Sequence, residues 1–383
     1  MSNQEIGIDT NWFLFGRTGV SRYARELTRA LLRTHPEQHY RLYGNFLNHY
    51  TARKQRLHEL ISESGNKKTT IDISPIPAAW RDWLIHHRVP LRWFYRQTSS
   101  IYFTSFFSGV ADRGFAPQVV VLYDLVFLKY PEHAGARRSA YYLLRTKQAI
   151  GKAAKIITIS EATKQDLVSD LQVDPQKITV IYPGLDHNLF QPRPDQQAVA
   201  KKYGLRPPYL LSVATLEPRK DLSSLLEAYL GLPTQLRKRY QLVLVGDKGW
   251  NTSHLQAQIR QLSEEGSVIW TGFVPDQDLP FLYSGAEAFI YPSLYEGFGL
   301  PVIEAMACGA PVIARDVSSL PEAVGRAGLL IASSGTEPLR QGIRLLLMDK
   351  ALREQYRAAG FSQAQKFTWD RAGQAVFDLL NPL

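Results

Sequence analysis

Cysteine is almost absent from this sequence: Cys308 is the single one in 383 residues, beside three methionines. One thiol can form neither an intrachain disulfide nor a multi-thiol metal site. It lies in the apolar stretch Ala305-Met306-Ala307-Cys308-Gly309, where a thiol serves as a small packing residue rather than a nucleophile. Also missing is an apolar run long enough to cross a bilayer, which needs about 20 residues. The opening residues, Met1-Ser2-Asn3-Gln4-Glu5, are polar and acidic, unlike a secretory leader. A cytoplasmic location is therefore expected. Internal repeats and low-complexity tracts are lacking too.

What remains is the composition of a soluble globular protein, 45% hydrophobic and 21% charged, in a chain long enough for two domains. The charge is uneven. Residues 1–190 hold 25 lysines and arginines against 16 acidic residues, so nearly all of the net charge of +10 lies there. A basic half suits an anionic membrane surface, a pyrophosphate-linked acceptor or nucleic acid. The run from Ala79 to Arg96 interleaves Trp80, Trp83, Trp93, Phe94 and Tyr95 with arginines. Aromatic packing inside a first domain is the expected reading, with docking on anionic lipid or stacking on sugars or RNA as alternatives.

Short apolar runs announce buried parallel strands. In the first half these are Ile6–Asp9, Val119–Leu122, Ile156–Ser160 and Ile178–Ile181, with Ser160 placed to cap a helix from Glu161. In the second half they are Tyr209–Val213, Gln241–Val245, Val268–Trp270, Ala288–Tyr291 and Pro311–Ala314. Helical stretches separate most of them, which predicts doubly wound sheets. Pro192, Pro194, Pro207 and Pro208 punctuate a polar stretch. The expected layout is a first domain over 1–188, a linker over 189–208, a second domain over 209–365 and a terminal helix over 366–383.

Two segments carry the chemistry. The first is Glu296-Gly297-Phe298-Gly299-Leu300-Pro301-Val302-Ile303-Glu304, which follows a strand-like run. A glycine turn entering a helix offers unpaired N–H groups and a positive dipole end to an anion. Gly297 and Gly299 admit a ligand close to the backbone. Glu296 stands at the turn, and Glu304 about two helical turns on. The second segment is Thr215-Leu216-Glu217-Pro218-Arg219-Lys220-Asp221. Adjacent Arg219 and Lys220 at a strand-to-helix turn suit a diphosphate.

These segments resemble the E-x7-E and EPRK-type motifs of retaining glycosyltransferases of family 4. The resemblance covers most of the chain. It implies a GT-B fold, with two Rossmann-like doubly wound domains facing across a cleft, and a nucleoside-diphosphate sugar as donor. It further implies that no cofactor or obligatory metal is used. By resemblance, Glu296 meets the sugar, Glu304 the ribose, and Arg219, Lys220 and the turn Gly297, Phe298, Gly299 and Leu300 the diphosphate. Gly246 and Lys248, in Gly246-Asp247-Lys248-Gly249-Trp250, lie near the nucleotide, and Val274, after Thr271-Gly272-Phe273, touches the base through its backbone. Gly16 and Gly19 frame a loop like the family's glycine loop near donor phosphate and acceptor. Val121-Leu122-Tyr123-Asp124-Leu125 departs from the pattern, since many relatives carry His-Asp-Leu there. Tyr123 can donate a hydrogen bond but cannot share a proton near neutral pH as His can, and Asp124 is expected to hold the loop or meet the acceptor.

The likeness is greatest to bacterial mannosyltransferases of surface polysaccharide, which favours GDP-mannose, or else a UDP-sugar, and a glycan or lipid-linked glycan acceptor. Peripheral contact with the inner membrane face through the basic first domain fits that setting, and no nucleic acid is expected. The triplet Asp276-Gln277-Asp278 is not read as a metal site but as the cap and first turn of a helix. Tyr123 also keeps open a catalytically impaired, nucleotide-sugar-binding partner subunit.

Overall fold

Strands such as Gln118–Leu122 and Gln241–Val245 have every residue buried, as expected where helices cover both faces of a parallel sheet. The computed structural model describes residues 4–11, 19–45, 50–74, 80, 83, 99–105, 116–250, 252–332 and 334–383. Gly16 and the run from 79 to 96, apart from Trp80 and Trp83, lie outside the described residues. The chain groups into two compact units, Met1–Gly184 with Thr368–Leu383, and Leu185–Phe367.

The first unit holds β1 (Ile6–Asp9), β2 (Tyr40–Asn45), β3 (Thr69–Ser74), β4 (Ile101–Ser105), β5 (Gln118–Leu122), β6 (Lys155–Thr158) and β7 (Ile178–Val180). They form one sheet in the order β3-β2-β1-β4-β5-β6-β7, every pair parallel. On one face Val120, Leu122, Ile156, Leu167 and Ile178 form a core. Ser160 accepts from the backbone N of Thr163 at 3.0 Å and caps the helix Glu161–Leu171, a contact that contributes about 1 kcal/mol. The helix Trp369–Leu380 packs on the helix Gly19–Thr34. Gly373 makes that approach close, since a Cβ there would lie 3.0 Å from the carbonyl carbon of Ala30. His35 stacks on Phe377, and Arg33 pairs with Asp370.

The second unit holds β8 (Tyr209–Val213), β9 (Gln241–Val245), β10 (Val268–Trp270), β11 (Ala286–Tyr291), β12 (Val312–Arg315) and β13 (Leu329–Ile331). Their order is β10-β9-β8-β11-β12-β13, again all parallel. Leu210, Leu242, Leu244, Ile290 and Ile313 pack with Leu225 and Tyr229. Each such fully buried side chain contributes roughly 1.5–3 kcal/mol. The order jumps at β8, between β9 and β11. Such a switch leaves a crevice at the carboxyl ends, where open α/β sheets bind ligands. The stretch 189–208 packs as part of this unit: Lys202 and Tyr203 bond Asp278, the latter at 2.6 Å.

Two expectations are corrected. Asp278 occupies the N-cap position of the helix Leu279–Gly285 without a side-chain cap bond. Its carboxylate is drawn instead to Lys202 and Tyr203. Trp80 and Trp83 are 69% and 56% exposed, so the interior packing expected of the aromatic run does not hold for these two. Among the described residues no helix is long and apolar enough to cross a membrane.

The junction between Gly184 and the terminal helix is testable. A Cβ at Gly184 would lie 2.1 Å from the backbone N of Trp369. Gly184→Ala is expected to lower stability by about 1–3 kcal/mol through overpacking. Thermal unfolding checks this, and an unchanged midpoint would contradict the contact.

Candidate functional site

The carboxyl ends of β8 and β11 carry the two motif segments side by side. After β8, Pro218 opens a 3-10 turn over Pro218–Lys220, with Glu217 extended before it. Proline presets the φ such a turn needs and has no N–H to lose. After β11, the chain runs through Pro292 to Gly299. The backbone N of Leu294 donates to the carbonyl of Arg219 at 2.8 Å, so the two turns are joined through their main chains.

Their side chains converge on Glu296. One carboxylate oxygen, Oε1, accepts from Lys220 Nζ in a short contact and from the Tyr291 hydroxyl at 2.9 Å. The other, Oε2, accepts from Arg219 Nη1 at 3.2 Å. Arg219 also donates to the Tyr295 carbonyl at 3.1 Å and from Nε to Glu217 at 3.0 Å. Lys220 donates to the Tyr291 hydroxyl at 3.0 Å, and its ammonium lies 5.2 Å from the centre of that ring. Lys220 is 7% and Glu296 8% exposed.

Burial pushes the Glu296 carboxyl up, but Lys220 and then Arg219 outweigh it and hold the group at about 2. Burial likewise draws the Lys220 ammonium below its ordinary value, with Glu296 opposing. Because Glu296 faces two cations, the ionised cluster is the state its geometry favours. Burial, then the Glu296 charge, raises the Tyr291 hydroxyl well above its ordinary value. It therefore remains a donor.

The turn itself is gripped from outside. The Glu296 carbonyl accepts from Ser318 Oγ at 2.7 Å and Ser319 Oγ at 2.9 Å. Gly299 has φ +100° and precedes the helix Leu300–Ala307. A Cβ there would meet Leu320 at 2.9 Å. The free helix-start donors expected here are fewer than anticipated: Pro301 has no N–H, and Val302 N turns back to the Gly299 carbonyl at 3.0 Å. Phe298 is buried with its ring against Phe367. Glu304 is buried and accepts from the Tyr283 hydroxyl at 3.0 Å.

Two further loops line the same sheet edge. Leu216 N donates to the Asp247 carbonyl at 3.0 Å, and Gly246 N to the Gly272 carbonyl at 2.9 Å. Gly246, at φ +140°, has no room for a side chain, since a Cβ would lie 2.1 Å from the Ala214 carbonyl oxygen. Lys248 is exposed, while the side chain of Val274 is buried. The structure thus brings Arg219, Lys220, Glu296, Gly246, Lys248 and Val274 to neighbouring strand ends.

Gly19, Tyr123 and Asp124 belong to the other unit. Tyr123 is buried edge-on against Tyr23 with centroids 5.3 Å apart, and its carbonyl accepts from Thr163 Oγ1 at 3.2 Å. Asp124 closes a local turn by accepting from Val126 N at 3.0 Å.

Tyr291, Ser318 and Ser319 were not foreseen as site residues. Tyr291 had one available signal, as a phenol ending a strand five residues before Glu296. The serines had none, because their contacts span about twenty residues of sequence. Among the described residues no group of three or more His, Cys, Asp or Glu is placed to hold a metal ion.

Two family models match the chain. "Glycosyl transferases group 1" covers residues 195–363, and "Glycosyltransferase Family 4" covers residues 17–189. An O-antigen chain mannosyltransferase B of Escherichia coli is 35% identical over 254 residues, 66% of this chain and 67% of that protein. A serotype-specific mannosyltransferase WbdA of Escherichia coli is 29% identical over 286 residues, 70% of this chain but 35% of that protein. Among solved structures, Anabaena HepE in complex with UDP and glucose superposes with a TM-score of 0.75 at 20% identity, covering 99% of this chain and all of that one. WaaG, described as a glycosyltransferase involved in lipopolysaccharide biosynthesis, gives 0.69 at 17% identity over 98% of this chain and 99% of that one. The two Rossmann-like sheets and these neighbours place the fold in the GT-B class.

Glu296→Gln would leave the buried Lys220 and the half-buried Arg219 short of their carboxylate and is expected to cost about 3–5 kcal/mol. Because folding lowers this carboxyl from 4.5 to about 2, its contribution is complete above the unfolded value and fades as pH falls toward the folded one. Thermal unfolding of both proteins should show a constant gap in midpoint from neutral pH down to about 5, closing only below it. A gap that varied between neutral pH and about 5 would count against this assignment.

Proposed function

The chain belongs to glycosyltransferase family 4, within the group 1 glycosyltransferases, and on that premise we propose that it moves mannose from a nucleoside-diphosphate sugar to a glycan or lipid-linked glycan acceptor, with retention at the anomeric carbon. The observation that carries this is the cluster of buried Lys220 and Glu296 with half-buried Arg219 at the ends of β8 and β11. The donor diphosphate lies against Arg219, Lys220 and the turn Gly297–Leu300. The two cations stabilise charge gathering on the departing phosphate, the task a metal serves elsewhere, so transfer needs no metal. Glu296 holds both cations in place and meets the sugar hydroxyls, Glu304 meets the ribose, and Gly246, Lys248 and Val274 border the base.

In the transfer, the bond from anomeric carbon to phosphate oxygen breaks and the acceptor oxygen bonds on the same face. The acceptor proton passes to the departing phosphate oxygen. No side chain has to act as base, which agrees with a buried Tyr123 where relatives carry His. Mannose is favoured by the names of the Escherichia coli relatives, with GDP as the carrier. A UDP-sugar is the alternative donor. The rival reading, a binding subunit without turnover, is not favoured. Its support was Tyr123 alone, whereas the charged cluster is complete.

The first unit offers a surface for a lipid-linked acceptor at the inner membrane face. The helix Ala136–Lys152 has no acidic residue. It exposes Tyr141 and Leu144, three residues apart and so on one face, with Arg137, Arg138 and Lys147 also exposed. Cations around apolar side chains suit an anionic interface. The purified protein is expected to co-sediment with phosphatidylglycerol vesicles but not with neutral ones. Arg137→Glu with Arg138→Glu should weaken this by at least about thirtyfold, at roughly 1 kcal/mol per cation removed. Equal binding to both vesicle types would discount the contact.

The central test supplies GDP-mannose and a panel of other nucleotide sugars, with and without chelator, and follows free nucleoside diphosphate and the anomeric coupling of the product. Turnover of one donor in the presence of chelator, giving the donor's own anomer, is expected. Lys220→Ala should lower kcat by about 10²–10³-fold, the loss typical of one preorganised charge-stabilising donor. Saturable donor binding without turnover, with acceptor lipids present, would transfer support to the subunit reading.

A further inference from the structure

Arg315 ends β12, and its side chain is wholly buried, at 0% exposure. A buried guanidinium must find acceptors for its planar fork of donors. Nε donates to the Pro292 carbonyl at 2.9 Å, Nη1 to the Ala332 carbonyl at 3.3 Å, and Nη2 to the Gly335 carbonyl at 3.2 Å and to Asp221 Oδ2 at 2.5 Å.

Two of these partners flank the charged cluster. Asp221 follows Lys220 directly and sits in the left-handed region, φ +50°. It turns the chain from the 3-10 turn into the helix Leu222–Leu230. A side-chain-bearing residue holds that conformation at a cost, and persists there when its surroundings fix it. Here Arg315 holds one carboxylate oxygen, and Ser224 Oγ donates to the other at 2.7 Å. Pro292 lies on the opposite turn, two residues before Leu294, whose N–H binds the Arg219 carbonyl.

We propose that Arg315 is a positioning residue for sugar transfer: by holding Asp221 and Pro292 together it sets where Arg219 and Lys220 meet the donor diphosphate. This rests on the donor-site reading above. The brace needs a guanidinium, since a lysine is a point donor that can pair with Asp221 but cannot also span three carbonyls.

The test compares wild type with Asp221→Asn, Arg315→Lys, Arg315→Met and the double variant Arg315→Met with Asp221→Asn. Asparagine keeps the shape of Asp221 and tolerates the left-handed region, and so isolates the charge. The readout is the ratio of affinities for GDP and GMP, by calorimetry, or for UDP and UMP if the donor panel selects that base. It is measured with the thermal midpoint and with kcat/KM for the donor. Folded Asp221→Asn and Arg315→Met are expected to lose about tenfold in diphosphate affinity, with monophosphate affinity changed less than about twofold. Arg315→Lys should fall between Arg315→Met and wild type. The double variant relieves the uncompensated carboxylate, so it should recover in midpoint relative to Arg315→Met without recovering the diphosphate preference.

A purely structural role would move midpoints and leave the ratio alone. A wild-type ratio in folded Asp221→Asn and Arg315→Lys overturns the proposal, and these two variants decide it if Arg315→Met does not fold. If wild type itself does not prefer the diphosphate, the donor-site reading fails and the brace with it. That outcome differs visibly from a working wild type matched by its variants.

Discussion

One carboxylate shared by a buried lysine and a half-buried arginine governs the arrangement of the second unit's site. Glu296 faces Lys220 on one oxygen and Arg219 on the other. Each charge alone in that setting would carry a desolvation penalty of several kcal/mol. Together they are held ionised, and the residues around them follow from that need. Tyr291 supplies a hydroxyl that accepts from the ammonium and donates to the carboxylate. Ser318 and Ser319 fix the backbone of Glu296. The result is a lysine largely stripped of water and an arginine beside it, both already oriented. A site for developing phosphate charge gains most from that condition, because no reorganisation is left for the moment of reaction.

Parallel strands make this economy of position available. Every strand of the second sheet points the same way, so the loops that follow β8, β9, β10 and β11 emerge at one edge. Close packing among these loops then depends on missing side chains. Gly246 touches the Ala214 carbonyl, and Gly249 the Leu216 carbonyl, at distances no Cβ tolerates. The loop that carries Lys248 thereby lies directly on the loop that carries Lys220, tied by the bridge between Leu216 and Lys248. Exchange of either glycine would part the two loops before it altered any charged group.

How much of this was legible follows from the range of each interaction. In the second unit β8 to β12 were readable from apolar runs of three to five residues, because two-sided burial leaves no polar alternation, whereas the three-residue edge strand β13 was not announced. β2, β3 and β4 were not among the strands so announced. Arg41, Asp72 and Thr104 interrupt them, and β3 is an edge strand that needs fewer apolar positions. The Arg219–Lys220 and Glu296 turns were legible as motifs, but their direct pairing was not. A diphosphate site reads as cations awaiting an anion, whereas the unliganded turns satisfy each other. Asp278 shows the converse error. Local sequence made it a cap, and a tyrosine and a lysine seventy-five residues away gave its carboxylate better partners.

The division of chemistry between the two units is itself a physical statement. In the second unit, charges are buried and matched. In the first, Tyr123, at the position where the family resemblance led to the expectation of a histidine, is a phenol packed edge-on against Tyr23. Burial, followed by the proximity of Tyr123, raises the hydroxyl of Tyr23 well above its ordinary value, so Tyr23 offers a shape rather than a titrating group near neutral pH. Asp124 spends one oxygen on closing its own turn. In the proposed reaction the departing phosphate carries away the acceptor proton, which asks no more of this unit than to hold the acceptor. The basic residues concentrated in the first half of the chain would suit that holding task, because attraction to a phosphate-bearing acceptor or an anionic surface requires charge and position but no exchange of protons. Under that proposal Tyr123 does not replace a lost base, and the first unit would bind while the second stabilises charge.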